Sequence, residues 1–99
     1  MNQARDRPPQ HKDGHPGTPV YVVMSVCYTY DEGSLNTVQS VFTDAGFANK
    51  EAYRLALKER YGNEEIRHMP KDGLASFGVV NEHGDADQWF NVIETVLYD

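Results

Sequence analysis

The residues with the best capacity for covalent chemistry are one cysteine and the histidines that could lie beside it. Cys27 is the only cysteine in the chain, and a thiol becomes a useful nucleophile when an imidazole is held next to it. His68 follows a predicted helix, in a loop that could reach the end of a sheet. A buried free cysteine more often behaves as a small apolar side chain. We therefore expect no catalytic residues, and we keep Cys27 and His68 as polar groups of an alternative ligand pocket.

A first set of candidate metal ligands lies near the N-terminus. His11 and His15 are four residues apart, with Asp13 between them. This spacing forms a metal site when a helix places both rings on one side. Pro16 and the neighbouring glycines disfavour such a helix. We expect no metal at this position.

A second set of candidate ligands occupies a turn near the C-terminus, at Asn81, Glu82, His83, Asp85 and Asp87. Calcium requires 6–8 oxygen ligands fixed in space, and the EF-hand pattern is absent here. A hydrated acidic turn is the expected structure. The sequence also lacks the serine-hydrolase elbow, the phosphate-binding loop and the dinucleotide fingerprint. We therefore expect no metal and no cofactor.

The charge of the chain argues against several classes of partner. The 99 residues carry a net charge of −6, and from Asp72 onward there is no lysine or arginine. Phosphate backbones and anionic lipids would repel such a domain, so we expect neither nucleic-acid nor membrane binding. A basic protein remains a candidate partner. The absence of an apolar leader and the single cysteine favour an intracellular location, cytoplasmic or nuclear.

The composition divides the chain into a tail and one domain. Residues 1–19 contain four of the five prolines and almost no apolar side chains, which predicts a flexible tail. Residues 20–99 are long enough for a single core. Segments rich in β-branched and aromatic residues predict strands at 20–30, 36–42, 74–81 and 88–98.

One helix is predicted between the second and third strands. Thr43 is a suitable N-cap, and Gly62 is a suitable stop signal. Small residues recur on one side of this helix, which would let it lie close to a sheet; they are Ala45, Ala48, Ala52 and Ala56, with Leu55. The following segment, 63–73, is predicted to be a polar loop. The expected fold is therefore α+β, a four-stranded antiparallel sheet of two hairpins with one helix on one face, in the order ββαββ.

This arrangement leaves one sheet face without a cover, although both faces of the predicted strands are apolar. Aromatic residues are favoured at interface centres, and the expected interface residues are Tyr21, Val23, Tyr28, Tyr30, Trp89 and Ile93. The expected function is a non-catalytic protein-interaction or regulatory module, with a homodimer formed through an exposed sheet face or a strand edge as one form of it. The alternative is a small-molecule-binding protein or small dimeric enzyme with a pocket between helix and sheet. A third hypothesis is an acidic decoy for a basic protein.

Several short motifs give the chain a family resemblance. The strand 20–23 reads VYVV, the strand end 40–43 reads SVFT, and Ala48-Asn49 is followed by Ala52. These resemble the "YVV", "GVF-S/T" and "A-N-x-x-A" motifs of a family of small uncharacterised ββαββ proteins, common in fungi and also present in bacteria and phages. Ser40 stands where members of that family often carry glycine. The resemblance covers residues 20–98 and implies a fold, with no catalytic set.

Overall fold

A computed structural model of the chain describes residues 17–29 and 33–97. Most of the predicted tail lies outside these residues, as does Tyr30. The tail prediction extended too far, because Thr18 and Pro19 already belong to the first strand and pair with Leu97 and Val96.

The described residues form one helix and one antiparallel sheet, which confirms the α+β class. The elements are β1 (Thr18–Thr29), β2 (Gly33–Phe42), α1 (Ala45–Glu59), β3 (Ile66–His68), β4 (Ser76–Val80) and β5 (Ala86–Leu97). Their order across the sheet is β2-β1-β5-β4-β3. The long strands β1 and β5 lie beside each other near its centre, where each is hydrogen-bonded on both sides over part of its length.

The sheet has five strands, and the prediction of four was wrong. The extra strand, β3, lies within the segment predicted as a polar loop, and Ile66 and His68 pair with Val79 and Phe77 of β4. Three residues are too few to show the alternation by which a strand is recognised. Only the backbone hydrogen bonds to β4 and the packing of Ile66 against the core define this element. The observed order is ββαβββ.

The N-cap of helix α1 lies one residue after the predicted cap, Thr43. The cap is Asp44, whose carboxylate accepts a hydrogen bond from the backbone N–H of Phe47 at 3.0 Å. The helix ends at Glu59, where the N–H of Arg60 still donates to the carbonyl of Ala56. No helix within residues 17–29 and 33–97 has the length and apolar character needed to cross a bilayer.

The core lies between α1 and one face of the sheet. Ala48, Ala52 and Ala56 are fully buried, so the predicted small-residue side of the helix is the side that contacts the strands. Their short side chains bring the helix close to β1, β4 and β5. The sheet supplies larger partners, namely Val23, Val79, Phe90 and Val92, and Ala75, just before β4, completes the cluster.

Candidate functional site

The sheet face opposite α1, called the open face below, is an apolar surface that no helix or strand of the described residues covers. Side chains alternate between the two faces of a strand, and Val23 and Val92 point toward the helix. Their neighbours therefore point to the open face. The apolar side chains on it are Val20, Val22, Met24, Val26 and Tyr28 of β1, Val38 and Val41 of β2, and Trp89, Ile93 and Leu97 of β5.

The open face is apolar and carries no charge along its two central strands. No residue of β1 between 18 and 28, or of β5 between 89 and 97, places a charged side chain on this face. Several of its apolar side chains are well exposed, including Tyr28 (54%), Val41 (55%) and Ile93 (43%). A surface of this kind on a chain with a net charge of −6 is typical of an interaction site.

The structure divides the predicted interface residues between the two faces. Tyr28, Trp89 and Ile93 lie on the open face. Val23 is fully buried beneath α1, and Tyr21 packs against the same cluster, so neither residue contributes to the open face. Strand alternation is the reason, because odd and even positions of β1 point in opposite directions.

Trp89 is held flat against the sheet by its neighbours. It pairs with Gly78 of β4, and the space above this glycine is filled by the indole ring. The indole N–H donates a hydrogen bond to the carbonyl of Ala86 at 3.0 Å. The sequence predicted Trp89 as an interface residue but gave no sign of its contact with Gly78, because that pairing depends on strand register.

A shallow hollow of about 380 Å³ adjoins the Trp89 ring on the open face. We call it the aromatic hollow; it is lined by Tyr28, Met69, Lys71, Ser76, Trp89 and Asn91. The hydroxyl of Ser76 donates to the side-chain oxygen of Asn91 at 2.6 Å. This hollow combines aromatic rings, one cation and a short polar pair, which are the components of a ligand site.

A second hollow, of about 470 Å³, lies where β5 continues past the start of β4. Lys71 contributes to this one too, but Asp72 and Glu94 also line it. The mixture of charges gives it no clear preference for a charged ligand.

Cys27 and His68 are not brought together. Cys27 lies on β1 and pairs with Leu35 and Gln88, whereas His68 lies on β3 and stacks on Phe77 with ring centroids 4.3 Å apart. Strands β5 and β4 separate them, a distance of about 14 Å at the usual strand spacing. The two side chains therefore cannot act as a nucleophile and its base in this arrangement.

The candidate metal ligands in the β4–β5 turn shape the backbone instead of facing a common centre. The side-chain oxygen of Asn81 accepts hydrogen bonds from the N–H groups of His83 and Asp85, at 2.8 and 3.1 Å. Within the part of the chain that the structure describes, no group of three or more His, Cys, Asp or Glu side chains could hold a metal ion. His11 and His15 lie outside that part.

Comparison with known proteins provides no relative for this chain. No family model matches it, and neither a curated protein nor a solved structure does so. Its function must therefore be inferred from its own residues and their geometry.

Proposed function

We propose that this protein is a non-catalytic interaction module that forms a homodimer through the open face. The observation that carries the proposal is the continuous apolar surface on β1, β2 and β5, which no element of the described residues covers. Removing such a surface from water is favourable in proportion to its area. A second copy would remove the same surface from each chain at once.

The dimensions of the sheet suit a dimer interface. Each strand residue covers about 16 Å² of a sheet face, from a strand spacing of about 4.8 Å and a rise of about 3.3 Å, and β1, β2 and β5 have 12, 10 and 12 residues. The resulting area, on the order of 500 Å² in projection, is about two thirds of the roughly 800 Å² that each partner contributes to a standard interface. Side chains standing above the sheet add accessible area to this projection. The open face is therefore large enough to support association without another element.

Charge favours a second copy over a basic protein as the occupant of this face. Three acidic side chains of the C-terminal half lie elsewhere: Glu82 and Asp85 are in the β4–β5 turn, and Glu94 pairs with Tyr21 on the opposite face. A basic partner attracted by these carboxylates would not be directed to the open face. Two copies related by a twofold axis would instead bring together the uncharged central strands β1 and β5 of each open face.

We also propose that the chain belongs to the small ββαββ family that its motifs resemble, and that it works inside the cell. The free thiol of Cys27 is compatible with a reducing compartment, cytoplasmic or nuclear. Neither proposal assigns an activity. A second candidate function, binding of a small molecule, is favoured by the aromatic hollow.

The test is a charge placed in the centre of the open face. Ile93→Lys should convert the dimer into a monomer in analytical ultracentrifugation, because an ammonium group would have to be buried without a partner. Leu57→Lys on α1 is the matched control, since Leu57 is exposed to a similar extent (37% against 43% for Ile93) but lies away from the open face. The control should remain dimeric.

A second variant distinguishes loss of the dimer from unfolding of the chain. Thr95→Lys introduces the same charge on the open face without removing an apolar side chain, because Thr95 pairs with Val20 on β1. Circular dichroism should show a native spectrum for all three variants. A monomeric wild type at high micromolar concentration, or a dimer that persists in both Ile93→Lys and Thr95→Lys, would overturn the proposal.

A further inference from the structure

We propose that the aromatic hollow binds a planar aromatic anion, such as an aromatic carboxylate of one or two rings. This deepens the second candidate function. Because the hollow lies on the open face, a second copy would compete with the ligand, and the titrations below therefore use protein dilute enough to be monomeric. The hollow is at the Trp89 end of β5, and Ile93, the residue chosen to test dimerisation, lies four residues further along, about 13 Å away.

The first element of the site is a fixed stacking surface. The indole of Trp89 lies against Gly78 on one side and is anchored through its N–H to Ala86. Trp89 also lines the hollow, together with Tyr28, which is 54% exposed. Aromatic rings bind planar ligands by stacking, and a ring that is already immobilised loses little conformational entropy on binding.

The second element is a single positive charge. Lys71 is the only charged residue among the described residues that line the aromatic hollow. Its backbone is held by reciprocal hydrogen bonds with Leu74, each 3.0 Å long, and its ammonium group has no carboxylate partner among the described residues. On a chain with a net charge of −6, a hollow whose described lining holds a cation and no anion favours an anionic ligand.

The third element is a polar group that can orient the ligand. Ser76 donates to the side-chain oxygen of Asn91. The two N–H groups of the Asn91 amide make no hydrogen bond within residues 17–29 and 33–97. A ligand carboxylate bound by Lys71 could accept a hydrogen bond from one of these N–H groups. The volume of about 380 Å³ is at the lower end of the range for ligand pockets, which suits a ligand of one or two rings.

The experiment compares two probes that share a ring and differ in charge. 4-Nitrobenzoate is the anionic probe, and 4-nitrobenzyl alcohol is its neutral counterpart. Trp89 is the only tryptophan in the chain, so quenching of its fluorescence reports on the hollow itself. We expect the anion to bind about tenfold more tightly than the alcohol, since a charge-assisted contact adds to the stacking that both probes share.

Two lysine variants separate the proposed site from general attraction of anions. Lys71→Met should reduce the affinity for 4-nitrobenzoate to that for the alcohol, with the alcohol unaffected. Lys58→Met removes the same charge from an exposed position on α1 and should leave both affinities unchanged. Equal binding of the two probes to the wild type, absence of quenching by either, or equal effects of the two lysine variants would overturn the proposal.

The same titration in Thr95→Lys distinguishes ligand binding from dimerisation. The preference for the anion should persist in this variant, whatever its oligomeric state, because the substitution lies outside the residues that line the hollow. Loss of the preference in Thr95→Lys, together with native circular dichroism, would contradict an independent ligand site.

Discussion

Gly78 lies directly beneath the indole of Trp89 on the neighbouring strand. A Cβ atom at position 78 would be 2.8 Å from three atoms of the six-membered ring, which is closer than carbon atoms can approach without displacement. The glycine therefore determines where the ring lies, and through the ring it shapes the aromatic hollow. Its backbone has no need of a positive φ angle, so the requirement for glycine is one of space.

We predict that Gly78→Ala destabilises the protein by about 1–3 kcal/mol, because the added methyl group must displace the indole. Urea unfolding followed by circular dichroism measures the loss, and the emission of Trp89 should shift as the ring moves. In a Trp89→Leu background, Gly78→Ala should lower the free energy of unfolding much less, and a double-mutant cycle measures the difference. An equal cost in both backgrounds would mean that the indole is not the obstacle.

Asn49 joins the helix to the turn that precedes β4. Its amide donates to the carbonyl of Gly73 and accepts from the N–H of Ala75, both at 2.9 Å. In Asn49→Asp, a carboxylate would face the Gly73 carbonyl, and we expect a loss of about 1–3 kcal/mol at neutral pH. Asn63→Asp, at an exposed loop position, adds the same charge and should cost little.

The penalty in Asn49→Asp should decrease in acid. A protonated acid can donate to the Gly73 carbonyl, so folding raises the pKa of the introduced group. The protonated form stabilises the fold fully below the unfolded pKa of about 4, and this contribution is lost as the pH rises through the folded pKa. Urea titrations at about pH 3.5 and near pH 7 measure the change. A penalty that does not vary with pH would contradict the predicted donor role of Asn49.

Ser40 has a buried hydroxyl with no hydrogen-bond partner in the described part of the chain. An unsatisfied polar atom of this kind costs free energy. We predict that Ser40→Ala stabilises the protein by about 0.5–1 kcal/mol, measured as an increased free energy of unfolding in urea. Ser34→Ala, at an exposed site on the same strand, should have no effect; destabilisation by Ser40→Ala would show that the hydroxyl contributes to the fold.

Arg54 and Glu51 form a two-pronged ion pair on α1, with N–O distances of 2.7 and 2.6 Å. These hydrogen bonds hold the pKa of Glu51 below its usual value. Because the folded pKa is lowered, the pair stabilises the protein above the unfolded carboxyl pKa, and this contribution is lost as the pH falls through the folded pKa.

Arg54→Gln should therefore raise the pKa of Glu51 toward its ordinary value, as measured by carbon-detected NMR titration of the side-chain carboxyl. The stability difference between wild type and variant should shrink as the solution is acidified. Arg67→Gln, an exposed substitution on β3, is the control and should leave the pKa of Glu51 unchanged. An unaltered pKa in Arg54→Gln would show that another group lowers it.

Salt should strengthen self-association if two copies meet through their open faces. Each chain carries a net charge of −6, so the copies repel each other, and added salt screens this repulsion. Sedimentation at about 50 and about 500 mM NaCl should therefore give a lower dissociation constant at the higher concentration. A complex with a basic protein would respond in the opposite sense and weaken.

The local pattern of residues was sufficient to predict the class of the fold and its longer elements. β-Branched and aromatic runs marked β1 and β5, and the alanine spacing of α1 correctly identified its buried side. These signals are local, since alternation and helical periodicity appear within a single segment. The N-cap was misplaced by one residue because Thr43 and Asp44 can both cap a helix, and only the backbone geometry selects Asp44.

The tertiary structure determined the features that the residues of a single segment do not encode. The three residues of β3 become a strand only through hydrogen bonds to β4. The predicted interface residues lie on two different faces of the sheet, because the helix covers Val23 whereas Trp89 is on the opposite face. The aromatic hollow arises in the same way, since Tyr28, Lys71 and Trp89 come from distant parts of the sequence. The sequence by itself determined the longer elements and the buried side of α1, because short-range periodicity encodes both. The pairing of strands determined the site, because register and layer order depend on contacts between residues far apart in the chain.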